Sequence, residues 1–286
     1  MRSINIIITI SLIVILSGIS FAVEYNDAPM LQEQVKNGKL PVVEERLPEE
    51  PYVVNPGDLI LEKNLDFKVG KYGGTLRMSR ANPGFDTHVF IGSNEPVIWA
   101  PACFNFDKGI QGNIVKDLKI SENNEEFTFY MRKGLKWSDG KPVTTEDVRF
   151  AIKEVMFNEK ITPVFPVRFK SGNDPDGEPM KLTIIDDYTF KLSFDEPYGS
   201  FPAELAISGW VGYTDLIKPS HYLKKFHIKY SSLEDMKPYL EEEELEDAWW
   251  DLFTLKDIEN WDLTNKNAVS LPVLYPWKMV KSESSI

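Results

Sequence analysis

The sequence predicts an α/β chain, and three stretches carry that prediction. Residues 127–156 open with a two-residue alternation and close with a helical period. Residues 181–194 (KLTIIDDYTFKLSF) read as two β-rich runs joined at Asp186-Asp187, which makes a hairpin. Residues 232–260 carry Leu240, Leu245, Trp249 and Leu252 at spacings suited to one helix face. With 42% apolar and 27% charged residues among 286, the chain can bury a core, and wholesale disorder is excluded.

Taken in order, residues 1–22 (MRSINIIITISLIVILSGISFA) have Arg2 near the start, an apolar run to Leu16 and Ser20-Phe21-Ala22 at the end. That is the pattern of a cleaved secretory signal peptide, with a membrane anchor as the competing reading. No Cys stands near the cleavage point, so an exported protein without a lipid anchor is expected. Residues 23–71 form a Pro-rich N-terminal extension. A short helix is expected within residues 28–39, with Pro29 in its first turn. Pro41, Pro48, Pro51 and Pro56 then favour extended chain, and the intervening Val and Leu residues suit a segment lying along a body.

The body, residues 72–286, opens with Tyr72-Gly73-Gly74-Thr75-Leu76-Arg77-Met78, a glycine pair feeding a short strand. A loop-rich region rich in aromatics follows, residues 82–112. In FTFYMRKGLKWSDGKPVTTEDVRFAI (127–152), Phe127, Phe129 and Met131 share one strand face. Asp139-Gly140 is a turn, because it tolerates the positive φ that reversal requires. Thr144 is a good N-cap, and Asp147 three residues on completes a capping box. Val148, Ala151, Ile152, Val155 and Met156 then follow at the spacing of an amphipathic helix. Glu146 and Asp147 could be an acid–base pair, but adjacent helical residues point about 100° apart and capping accounts for both. Every position in this stretch therefore has a structural task. The hairpin comes next, interrupted by Pro197 and Pro202, and the helical region closes the pattern.

Function classes fall away in turn. A formal net charge of −12 repels nucleic acid and anionic lipid, so no nucleic-acid partner is expected. Cys103 alone forms no intrachain disulfide and no multi-Cys zinc site. His221 and His227 are six apart, which is not metal spacing on a helix, and structural roles suit both better. GxSxG, P-loop and GxGxxG motifs are absent, so no catalytic residue, metal or cofactor is expected. Glu241-Glu242-Glu243-Glu244 reads as a solvated helix face. Trp249-Trp250 reads as core plus rim.

Residues 127–152 strongly resemble the signature of the family 5 extracellular solute-binding proteins, the peptide- and nickel-type receptors of ABC importers. The pattern is a strand ending in Leu-Arg-Lys-Gly, an aromatic, an Asp-Gly turn and a Thr-x-Glu/Asp-Asp-Val helix start, with Met131 here in place of Leu. Tyr72-Gly73-Gly74-Thr75-Leu76, Asn113-Ile114-Val115-Lys116-Asp117-Leu118, Asp186-Asp187-Tyr188-Thr189-Phe190 with Pro197-Tyr198, and Pro219-Ser220-His221-Tyr222-Leu223 resemble further family segments in the expected order.

The resemblance implies a type II periplasmic-binding-protein-like α/β fold of two lobes that close on a ligand. Residues 274–280 resemble the strand preceding the crossover to lobe two. The expectation is thus most of lobe one, incomplete, with the second lobe absent and the chain truncated at Ile286. The implied function is to bind peptides or oligosaccharides in the periplasm or outside the cell and to deliver them to ABC permease subunits. A secreted carbohydrate-active enzyme or carbohydrate-binding module is the alternative. Candidate ligand contacts are Asn94, Glu95 and Trp99 after the first strand, and Phe201, Gly209 and Trp210 after the Pro-rich break, since aromatic faces with polar neighbours suit peptide side chains and sugar rings alike.

Overall fold

The computed structural model describes residues 25–58, 61–64, 66, 70–75, 98–99, 109–207, 212–246, 248–258 and 266–281. Residues 1–22 (the expected signal peptide), Leu76-Arg77-Met78 of the expected opening strand and most of the aromatic loop region lie outside these residues.

An antiparallel four-stranded sheet is the centre of the described body. β3 (Val115–Ile120), β4 (Glu126–Met131), β5 (Lys181–Asp186) and β6 (Thr189–Ser193) lie in the order β3-β4-β6-β5. As the alternation predicts, β4 points Phe127, Phe129 and Met131 into the core. Cross-strand pairing sets Phe129 opposite Phe190 and Phe127 opposite Leu192. The Phe129 and Phe190 rings stack 4.8 Å apart and 6° from parallel. Burying such a side chain contributes roughly 1.5–3 kcal/mol. A separate short pair joins β1 (Ile98–Trp99) to β2 (Gln111–Gly112). The hairpin turn falls at Asp187-Tyr188, where the Tyr188 N–H donates to the Asp186 carboxylate at 2.8 Å. Edge strand β5 leaves Ile184 and Ile185 exposed.

Helices cover the core. α3 (Thr145–Phe150) begins at the expected capping box: the Thr144 hydroxyl faces the helix N–H groups, and the Asp147 carboxylate accepts from the Thr144 N–H at 3.0 Å. The sequence pattern suggested one continuous α-helix through Met156. Instead residues Ala151–Met156 form a π-helical turn, closed by the Phe157 N–H donating to the Ile152 carbonyl at 3.0 Å. The wider turn keeps Ala151, Ile152, Val155 and Met156 buried and also takes Glu154 inward. α4 (Phe201–Ile207) packs against β1. α5 (Ser220–Leu223) leads to α6 (Leu233–Glu242) and α7 (Trp249–Lys256). The helical pattern of 232–260 is therefore two helices, because the backbone turns at Glu244 with φ of 55°. Glu243 is no solvated side chain: it pairs with Lys256 at 3.0 Å and Lys266 at 3.1 Å.

The Pro-rich extension lies on the body. It carries α1 (Gln32–Lys36) and α2 (Val43–Arg46), and the Glu49 N–H donates to the Lys133 carbonyl at 2.9 Å. The first helix starts three residues after Pro29, which falls in the turn before it.

Candidate functional site

The loop between β4 and α3 is organised around Asp147, which is 2% exposed. Besides its capping bond, this carboxylate accepts from the Trp137 indole N–H at 3.1 Å and from the Ser220 N–H at 3.0 Å. It thus ties the Asp-Gly turn, the start of α3 and the start of α5 into one unit. His221 closes the same corner, its Nε2 lying 2.7 Å from Asp139 Oδ2. The segment after Leu271 docks there too, with the Ser138 N–H donating to the Val273 carbonyl at 3.0 Å.

Charged groups gather where α3 passes into the π turn. Arg149 donates to Glu146 at 2.7 Å and to Glu154 at 2.6 Å, Lys224 pairs with Glu146 at 2.6 Å, and Lys229 pairs with Glu154 at 2.7 Å. The Tyr230 hydroxyl adds a bond to Glu154 at 3.1 Å. The Arg149 and Lys224 bonds outweigh partial burial and bring Glu146 down to about 2. Burial alone would raise Glu154, yet its bonds to Lys229, Arg149 and Tyr230 bring it to about 2 as well. Two carboxylates held ionised this firmly neither give nor take a proton near neutral pH. Beside them His227 is enclosed by the rings of Phe150, Tyr230, Trp249 and Phe253 at 5.0–5.9 Å. Its Nε2 lies 3.1 Å from the Glu154 carbonyl, and its Nδ1 accepts from the Lys229 N–H at 3.2 Å. Both histidines are therefore held in hydrogen bonds that fasten the fold.

Two of the clefts in the described surface are roomy enough to consider as sites. One, of about 430 Å³, has an apolar floor from Val155, Met156, Ile161 and Ile258. Its walls carry two ion pairs, Arg168–Asp215 at 2.5 Å and Lys218–Asp257 at 2.7 Å. Burial raises the Asp215 carboxyl while Arg168 opposes the rise. The sequence singled out none of these four residues. Asp215 and Lys218 are three apart, but nothing in the chain order brings Arg168 or Asp257 to them. The other cleft, of about 510 Å³, lies between the extension and the end of the sheet, among Glu49, Glu50, Tyr130, Lys133, Asp187 and Tyr188. No cluster of His, Cys, Asp or Glu suited to a metal occurs among the described residues. None of their helices is long and apolar enough to cross a membrane.

Of the sequence-predicted contacts, Asn94, Glu95, Gly209 and Trp210 lie outside the described residues. Trp99 lies on β1 beside α4, the helix leading to the Gly209-Trp210 segment. Phe201 is fully buried, its ring within 4.8–6.1 Å of those of Phe127, Phe169, Phe194 and Tyr198. It belongs to the core, not to the wall of either cleft. Trp249 is buried and Trp250 half-buried under the Lys160 ammonium, 4.7 Å from the ring.

Comparison with known proteins decides the family. The bacterial extracellular solute-binding proteins, family 5 Middle, match residues 109–250, which contain the whole β3-to-α6 body. The chain belongs to the family 5 solute-binding proteins. A periplasmic alpha-galactoside-binding protein of Rhizobium meliloti is 30% identical over 228 residues, 73% of this chain and 30% of the relative. Among solved structures, an oligopeptide-binding protein OppA aligns with a TM-score of 0.68 and 33% identity, covering 91% of this chain and 36% of that one. The periplasmic binding protein MelB of Agrobacterium fabrum C58, in complex with stachyose, aligns at 0.57 and 28%, over 74% of this chain and 32% of that one. The fold is that of the type II periplasmic binding proteins. This family 5 chain spans about a third of the length of the relatives it matches.

Proposed function

We propose that this chain acts as a solute-binding component of an ABC importer, holding peptides or oligosaccharides in the periplasm or outside the cell. ABC permease subunits would be its partners. The observation that carries this reading is the family match over residues 109–250, and the carboxylates Glu146 and Glu154 within it are engaged in ion pairs. Relatives named for alpha-galactosides, stachyose and oligopeptides give the range of ligand classes. In this reading residues 1–22 are an export signal and 23–71 an extension. The remainder belongs to lobe one, with Asn94, Glu95, Trp99, Gly209 and Trp210 as ligand contacts. The work is binding, without covalent chemistry.

A thermal-shift series with stachyose and short peptides tests it. A melting temperature that climbs with the logarithm of ligand concentration is expected, since a ligand bound only by the native state stabilises it. Cleavage of a glycoside by the purified protein would instead favour a secreted carbohydrate-active enzyme.

A further inference from the structure

The N-terminal extension is held on the body by an unusual set of contacts. The Arg132 guanidinium, at the end of β4 and 8% exposed, donates to the Glu50 carbonyl at 2.6 Å and to the Asn113 carbonyl at 2.8 Å. It also lies over the Tyr52 ring, 5.7 Å from the centroid. Around it the Glu49 N–H reaches the Lys133 carbonyl, Lys136 donates to the Glu45 carbonyl, and Lys116 pairs with the Glu50 carboxylate at 2.5 Å. Gly134 has φ of 78°, a left-handed conformation that favours glycine, and its backbone lies against Pro48 and Glu49.

Apolar side chains contribute little to this attachment. Val42, Val53 and Val54 are 45–55% exposed, Val43, Leu47 and Tyr52 are half-buried, and no residue of 41–54 is fully buried, so the segment adds no side chain to the core. A segment that buries few apolar groups and is tied down mainly by polar contacts opens locally before the fold does, since each such bond exchanges for one to water at small net cost. The position matters because Glu49 and Glu50 form one wall of the 510 Å³ cleft, facing Tyr130, Lys133 and Asp186–Thr189. Without this segment the cleft loses that side.

We propose that residues 41–54 are a detachable strap, pinned by Arg132, that closes one side of the cleft at the end of the sheet. Arg132 is then a positioning residue for that cleft, in addition to its place in the β4 terminus. The strap opens and reseats as a unit while the sheet stays folded.

Hydrogen exchange on the full chain tests this, comparing the natural protein with Tyr52→Ala and Arg132→Met. Tyr52→Ala acts from the strap side and leaves the sheet's own residues untouched. The expected result is exchange faster by about tenfold or more across residues 45–54 in both variants, with β4 and β6 protected as before. Strap exchange equal to that of the natural protein in either variant would overturn the proposal. So would equal loss of protection in strap and sheet in Tyr52→Ala, since the two would then be one cooperative unit.

Discussion

Asp147 illustrates how a residue with an ordinary local role acquires a long-range one. As a cap it satisfies the Thr144 N–H, and its remaining acceptor sites hold the Trp137 indole and the Ser220 backbone. Removing it takes away a cap, worth about 1 kcal/mol, and strands buried donors at about 1–3 kcal/mol each. Asp147→Ala is therefore expected to destabilise the fold by about 3 kcal/mol, read as a lower urea midpoint. His227 makes a pH prediction. Burial lowers its pKa below the ordinary 6.5, so the folded state binds the proton less well than the unfolded chain. Its contribution is fully present above about pH 6.5 and is lost as pH falls through the lowered value. Urea midpoints at pH 7.5 and 5.5 should show this fall, and His227→Gln should flatten it. Glu154 adds a second loss at lower pH, present above 4.5 and disappearing towards 2.

At the scale of elements, β4 and the β5–β6 hairpin were the most legible parts of the chain, because alternation and turn chemistry are local signals. Phe127, Phe129 and Met131 point inward, and the Asp-Gly turn closes with Gly140 at φ of 85°, as those signals require. The π turn was not legible: Ala151, Ile152, Val155 and Met156 satisfy α spacing and π spacing equally, and only the inward Glu154 distinguishes them. The break at Glu244 was hidden for a similar reason, since a run of four glutamates reads as helix surface and gives no sign of the positive φ within it. The clefts were least legible, because Arg168, Asp215, Lys218 and Asp257 meet only after three separate segments have packed. The stacked pair between β4 and β6 gives the element-scale prediction. Phe190→Ala should cost about 3–5 kcal/mol through the cavity it leaves, whereas Ile185→Lys on the exposed edge should stay within about 0.5 kcal/mol. Chemical denaturation of both variants measures the contrast.

For the whole molecule, the Arg149–Glu154 ion pair and its neighbours fasten a body that matches a family of solute-binding proteins. Glu146 and Glu154 are fixed as anions, His221 and His227 are held in structural bonds, and no metal cluster occurs among the described residues. The proposed role is therefore to hold a solute and release it unchanged. Ligand-observed NMR on the purified chain reads both halves of that statement at once, with stachyose and a short peptide each incubated for a day. The account predicts broadened ligand signals that sharpen on competition, with every ligand resonance recovered intact. New resonances from a cleaved sugar or peptide would contradict it.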